Sequence, residues 1–361
     1  MAVVGNTKKT IVGWTKMVAQ IATTERKHAT APGTSAQEKK LRVLIPYDGS
    51  ETAEATLKDL TSAGLPHELD ALIAVTHVWL PSSPYEITRA VSARRMKLLT
   101  SGLSSHVPAL QEHEEQRVLS LEAERRLRSM FPEGRVKTEA IQDTAAMAQA
   151  ILERAKHWGA ELIILGANIS SSSQMCDHAG PALRVAQDAH CSVRIARPSD
   201  RKADSPKKIV IFVDQSSSSQ DVVNAVGERI WPTGTVADIV MTRKPGPRHV
   251  TRDGEAEQVL DTLADTLRAK GLKASVEIVD GPSKEVLLQK GRESSVSCVF
   301  VDPHHGDGDA SGLSAGAKAL MLGAQCSVEV VRASSSNDHY LKTGRMIEPD
   351  DNELSRPRWG E

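Results

Sequence analysis

The chain has 361 residues, 45 Lys and Arg against 46 Asp and Glu, a formal net charge of −1 and 3% aromatic residues. Dispersed charge of both signs removes the electrostatic footprint of a nucleic-acid binder, and scarce aromatics leave the cores to Val, Ile, Leu and Ala. No run approaches the roughly 20 apolar residues of a membrane span and Lys16 interrupts Ile11 to Ile21, so neither a span nor a secretory signal is expected and the chain reads as cytoplasmic.

Residues 1–40 read as a tail. Ile11, Trp14, Val18 and Ile21 share a helical face, but an isolated helix this short is marginal in water, and a largely disordered segment is expected. A first module, residues 41–198, opens with the apolar run Leu41 to Ile45 and then Tyr47-Asp48-Gly49-Ser50. Ser50 suits a helix N-cap, the following helix turns Ala53, Leu57 and Leu60 inward, and Gly64 with Pro66 ends it. Leu69 to Leu80 is the second strand, and residues 81–108 read as an insertion. Leu110 to Met130 is a long polar helix with an expected apolar stripe at Val118, Leu121 and Leu127. Strand Val136 to Ile141, helix Ala145 to Trp158, strand Glu161 to Gly166, helix Pro181 to Ala189 and strand Cys191 to Ala196 complete the module.

A polar linker, residues 199–206, leads to a second module, residues 207–333. Its expected strands are Ile209 to Val213, Val236 to Met241, Ala274 to Val279, Cys298 to Val301 and Ser327 to Val331. The helices between them are Ser218 to Arg229, Glu255 to Lys270, Lys284 to Glu293 and Ala315 to Leu322. Residues 334–361 read as a second disordered tail. Both tails are expected to be dispensable for folding, because polar ends with few apolar anchors bury too little to offset their ordering entropy.

The two modules repeat one another. Leu41 to Ser50 returns as Lys208 to Ser216, each a strand ending in Asp-x-Ser, and Cys191-Ser192-Val193-Arg194-Ile195-Ala196-Arg197 returns as Cys326-Ser327-Val328-Glu329-Val330-Val331-Arg332. Strands apolar along their whole length and alternating with helices call for a parallel sheet covered on both faces; right-handed crossovers make it doubly wound, α/β and Rossmann-like. The matched closing strands are expected to pack against each other, giving a pseudo-dimer within one chain and removing two exposed sheet edges. Cysteines placed at the starts of those strands read as small buried apolar residues rather than a disulfide frame or a zinc site.

The strand-Asp-x-Ser opening, the Gly-containing loop after the fourth strand and the Cys-Ser-Val closing strand resemble the universal stress protein family in its tandem form; Trp231-Pro232-Thr233-Gly234-Thr235 resembles the turn before the second strand in some members. The resemblance implies two five-stranded sheets of order 3-2-1-4-5 with dimer-like pairing through the last strands. In one branch it further implies ATP at the carboxyl ends of the strands, held by a first-strand Asp and a Gly-x-x-Gly-x9-Gly-Ser/Thr loop. Glycines let backbone N–H groups approach phosphate, and the following helix offers its positive end.

Only fragments of that loop are kept. In the first module the candidate cofactor-binding residues are Asp48, Gly49, Ser50, Gly166, Asn168 and Gly180; Ile169 stands at the second glycine, and Pro181 removes an N–H that phosphate would use. In the second module Asp214 is kept, but Asp302 and His305 stand at the glycine positions. A carboxylate about 4 Å from a phosphate oxygen costs on the order of 4 kcal/mol at a surface-like effective dielectric. The group Asp302, His304, His305, Asp307 and Asp309 holds metal-ligand residue types, but its Asp-Gly pattern reads as a turn, and no metal is expected. His77, His106 and His113 read as packing or solvated residues. Ser50 and Ser216 have a plain role as helix caps, as Asp48 and Asp214 have in turns.

Nothing matches a catalytic triad, a Walker lysine or a nucleophile elbow, so chemistry is not the leading expectation. Two readings stay open. One is a stress-response regulatory or scaffold protein acting through protein partners, with further homo-oligomerisation left open. The other is an adenine-nucleotide-binding protein with a weak ATP site in the first module and slow hydrolysis.

Overall fold

In a computed structural model the chain is described over residues 40–76, 108–141, 147–167, 181–199, 202, 204–214, 216, 218–243, 250–305 and 312–333. The first module contributes β1 (Arg42–Tyr47), α1 (Glu51–Leu60), β2 (Asp70–Thr76), α2 (Pro108–Met130), β3 (Arg135–Ile141), α3 (Met147–Trp158), β4 (Leu162–Gly166), α4 (Pro181–Asp188) and β5 (Ser192–Ala196). The second repeats the order with β6 (Lys208–Val213), α5 (Ser218–Gly227), β7 (Val236–Arg243), α6 (Val250–Ala269), β8 (Lys273–Asp280), α7 (Ser283–Arg292), β9 (Cys298–Val301), α8 (Ala315–Gly323) and β10 (Ser327–Val330).

The strands form one ten-stranded sheet of order β3-β2-β1-β4-β5-β10-β9-β6-β7-β8. Each half has the order 3-2-1-4-5 and is parallel throughout; the halves meet where β5 and β10 pair antiparallel, Arg194 opposite Glu329. The expected pair of five-stranded sheets is therefore present as two halves of a single sheet, with both closing strands in its interior.

Period-2 alternation sends successive side chains of each strand to opposite layers. Leu44 of β1 joins a core that continues across both modules through Ile163, Val193, Val328, Val299 and Val210, covered by α3, α4, α7 and α8. Val43 and Ile45 face the other layer and pack with Leu57, Leu60 and Leu127 of α1 and α2. In the second module Ile209 and Ile211 do the same with Val222, Leu260 and Leu263 of α5 and α6. On this second face the two cores are separate.

The stripe expected on α2 is wrong at two of its three positions. Leu127 is buried, but Val118 and Leu121 are exposed; Ala123 and Leu127 at spacing i, i+4 face the sheet, with Leu119 and Met130 beside them. At about 100° per residue Val118 and Leu121 fall off that line. Element ends shift by a few residues, most at α6, which starts at Val250 rather than Glu255. Residues 77–80 of the expected second strand, residues 142–146, residues 1–39 and 334–361 of the tails and residues 81–107 of the insertion lie outside the described residues, as do His77 and His106.

The turn before β7 forms as its residues suggest: Thr235 Oγ1 donates to the Pro232 carbonyl at 2.7 Å, and Gly234 takes φ +87°. Among the described residues no helix is long and apolar enough to cross a membrane.

Candidate functional site

In an open parallel sheet the crevice lies at the carboxyl ends of the strands where strand order reverses, here between β1 and β4 and between β6 and β9. Asp48 follows β1. Its Oδ1 accepts from the Ser50 amide at 2.9 Å, Ser50 Oγ accepts from the Ala53 amide at 3.2 Å as the N-cap of α1, and Ser50 and Thr52 hydroxyls lie 2.8 Å apart. Beside them the buried Tyr47 hydroxyl donates to Glu54 Oε1 at 2.5 Å, and Arg126 Nη1 donates to Glu54 Oε2 at 2.7 Å. Burial first, then the bond to Glu54, pushes the Tyr47 phenol well above its ordinary value, so it stays a neutral strut tying β1 to α1 and, through Arg126, to α2.

Both described glycines of this crevice are demanded within the chain, Gly49 by its backbone conformation and Gly166 by packing. Gly49 takes φ +73°, and a Cβ there would lie 2.8 Å from Leu119 Cδ2; a Cβ on Gly166 would lie 2.2 Å from the Thr52 carbonyl oxygen. Asp48, Gly49, Ser50 and Gly166 thus converge on the first turn of α1. Asn168 and Gly180 lie outside the described residues.

The second crevice starts alike. Asp214 Oδ1 accepts from the Ser216 amide at 2.9 Å, and Ser216 and Ser218 hydroxyls lie 2.7 Å apart, matching Asp48, Ser50 and Thr52. It then departs. Asp302 after β9 is buried and accepts from the His304 amide at 2.7 Å, and the chain turns His305 inward. The imidazole is fully buried, its centroid 5.7 Å from that of Phe212 and its Nδ1 3.9 Å from Asp214 Oδ2. Burial, and then the charge of Asp302, push the Asp221 carboxyl up. Ser314 closes the loop: its amide donates to the Pro303 carbonyl at 2.7 Å and its Oγ caps α8. Where the first module has Gly166 the second has Asp302, and it adds a buried imidazole beside Asp214. The sequence signal is His305 at a glycine position, within a segment whose Asp-Gly pattern reads as a turn.

Among the described residues no group of three or more His, Cys, Asp or Glu side chains is placed to hold a metal ion; Asp307 and Asp309 lie outside them. Cys191, Cys298 and Cys326 are buried, and burial pushes the first two thiols up to about 12 and the third to about 11. They are buried, protonated thiols, and Cys298 Sγ accepts from Arg194 Nη1 at 2.9 Å.

Away from the crevices, sequence reasoning missed a buried ionic group at the junction of the halves, formed by Asp59, Arg194, Arg229 and Glu329. Its signal was present in the repeat, which has Arg at position 194 and Glu at the matching position 329.

A model of the universal stress protein family matches residues 41–197. Among solved structures, a universal stress protein from Archaeoglobus fulgidus DSM 4304 is similar at 15% identity with a TM-score of 0.55, covering 82% of this chain and 97% of that one. The universal stress protein from Archaeoglobus fulgidus in complex with dAMP is similar at 16% identity with a TM-score of 0.29, covering 35% of this chain and 98% of that one. Among curated proteins none matches the chain.

Proposed function

We propose, from the premise that residues 41–197 belong to the universal stress protein family, that the chain is a stress-response regulatory or scaffold protein that acts by binding protein partners rather than by chemistry. The observation that carries this reading is the second crevice. The residues that open a phosphate cradle are replaced there by Asp302 and by His305, whose imidazole is fully buried beside Phe212 and Asp214. A phosphate would have to displace that side chain and enter a site bordered by Asp214, Asp221 and Asp302, and both requirements oppose binding.

A second reading, weak ATP binding in the first module, is favoured by one observation. Asp48, Ser50 and Gly166 meet at the N-terminus of α1, where backbone N–H groups and the helix dipole attract anions. Against it, Gly49 is already required by its positive φ and Gly166 by the Thr52 backbone.

Titration calorimetry with ATP on the wild type, Asp48→Ala and Asp214→Ala separates the readings. The regulatory reading expects no binding tighter than about 1 mM in any of the three. Tighter binding lost in Asp48→Ala and kept in Asp214→Ala establishes the first-module nucleotide site instead, and binding lost only in Asp214→Ala overturns both.

A further inference from the structure

On the face of the sheet that carries α1, α2, α5 and α6, the two apolar cores are separated by a buried row of alternating charges. The Arg194 guanidinium donates to Asp59 through Nε at 2.5 Å and Nη2 at 3.0 Å, and its Nη1 lies 3.3 Å from Glu329 Oε2. Glu329 Oε1 in turn pairs with Arg229, which stacks 5.1 Å from the centroid of Phe300 and donates to the Ala63 carbonyl at 2.8 Å. Side-chain exposure is 1% at Arg194 and at Glu329.

Arg194 and Glu329 occupy the same place in the repeat, three residues after the cysteine of the closing strand. They also face each other in the sheet, flanked by Val193 opposite Val330 and Ile195 opposite Val328. The axis relating the modules therefore passes through this pair. Two identical modules joined by the same operation would set identical side chains against each other there. Two first modules would bury Arg194 against Arg194, and two second modules Glu329 against Glu329; each side chain would keep its partner within its own module, Asp59 or Arg229, but would meet a like charge in place of the Arg194–Glu329 contact.

A buried ion pair gives little net stability over apolar residues of similar volume. The opposite face of the same seam shows that an apolar solution is open to this fold, since Val193, Ile195, Val328 and Val330 lie there in one continuous core. We infer that the β5 and β10 edges are keyed to each other as unlike surfaces. The β5 edge takes a partner strand with a carboxylate at its central position, supplied here by the chain's own second module, and it rejects the β5 edge of a second copy.

The test uses the full chain with Arg194→Glu and Glu329→Arg made separately. Each is expected to open the seam, so that amides of β5 and β10 exchange about a hundredfold faster or more while β1, β2, β6 and β7 keep their protection. Glu329→Gln should raise exchange about tenfold at most, because it keeps an acceptor and adds no repulsion. Mixing the two reversal variants should give a one-to-one heterodimer by native mass spectrometry, joined by Arg194 of one chain and Glu329 of the other. Exchange in Glu329→Arg no faster than in Glu329→Gln overturns the inference, as does a mixture that stays monomeric while both variants remain protected in β1 and β6. A further variant covers loss of folding in the reversals: Asp59→Leu, Arg194→Met, Arg229→Met and Glu329→Leu together remove the key while retaining volume. It is expected to form homodimers beside monomers, and a strictly monomeric product overturns the inference.

Discussion

Arg197 and Arg332 reach across the module junction to equivalent places in each other's half. Arg197 donates to the carbonyls of Cys326 and Met321, and Arg332 to those of Cys191 and Ala186. Their amides complete the match, Arg197 to Ser327 Oγ at 3.1 Å and Arg332 to Ser192 Oγ at 3.1 Å. Each guanidinium sits at the C-terminal end of the last helix of the other module, where a cation complements the helix dipole. Burial lowers both pKa values, but an arginine keeps its charge throughout the working range.

Removing these arginines should weaken the junction unequally. Arg197 is 4% exposed and Arg332 is only partly buried, so Arg197→Met should cost about 2–4 kcal/mol and Arg332→Met about 1–3 kcal/mol, leaving buried carbonyls without their donor. Arg197→Lys should recover little, because one ammonium does not reproduce a fork that spans two carbonyls. Urea unfolding of the three variants gives the ranking, and equal midpoints for Arg197→Met and wild type would contradict it.

Gly64 is a second point of contact between the modules. It takes φ +66°, its carbonyl accepts from the Ile230 amide at 2.8 Å, and a Cβ there would lie 2.9 Å from the Trp231 ring. Gly64→Ala should therefore suffer both backbone strain and a clash, about 2–4 kcal/mol together. Gly271 has φ +85° with nothing within 4 Å of a built Cβ, so Gly271→Ala isolates the conformational part, about 1–2 kcal/mol. The difference between the two denaturant midpoints measures the junction contact, and identical midpoints would remove Trp231 from the account.

The second crevice should leave a pH signature through Asp221. Burial and the nearby Asp302 raise its carboxyl above the ordinary 3.8, so the folded chain holds that proton to higher pH than the unfolded chain does. Stability contributed by the protonated form is complete below about pH 3.8 and falls as pH rises through the folded value. Asp221→Asn is accordingly expected to be more stable than wild type at pH 7, with the gap closing as pH drops toward 3.8. Unfolding curves at several pH values between those limits test this; a gap independent of pH would assign the effect to packing.

Much of the fold was legible because its causes are local. The apolar run of β1, the Ser50 cap and the helical face of Ala53, Leu57 and Leu60 each depend on residues within a few positions, and they form as read. Asp48 and Ser50 were legible in the same way, including their plain role in capping and turn hydrogen bonds. The face of α2 was not, because a polar helix carries several weak apolar lines and contact with β2 and β3 selects among them.

The sequence by itself determined the alternation of strands and helices, the duplication, and hence a doubly wound sheet in each half, since period and capping are written in neighbouring residues. Only the tertiary structure decided that Arg194 meets Glu329, 135 residues away, and that His305 turns inward against Phe212 and Asp214. Strand register and side-chain burial are set by packing between distant segments, across the junction of the halves for Arg194 and Glu329 and within the second half for His305.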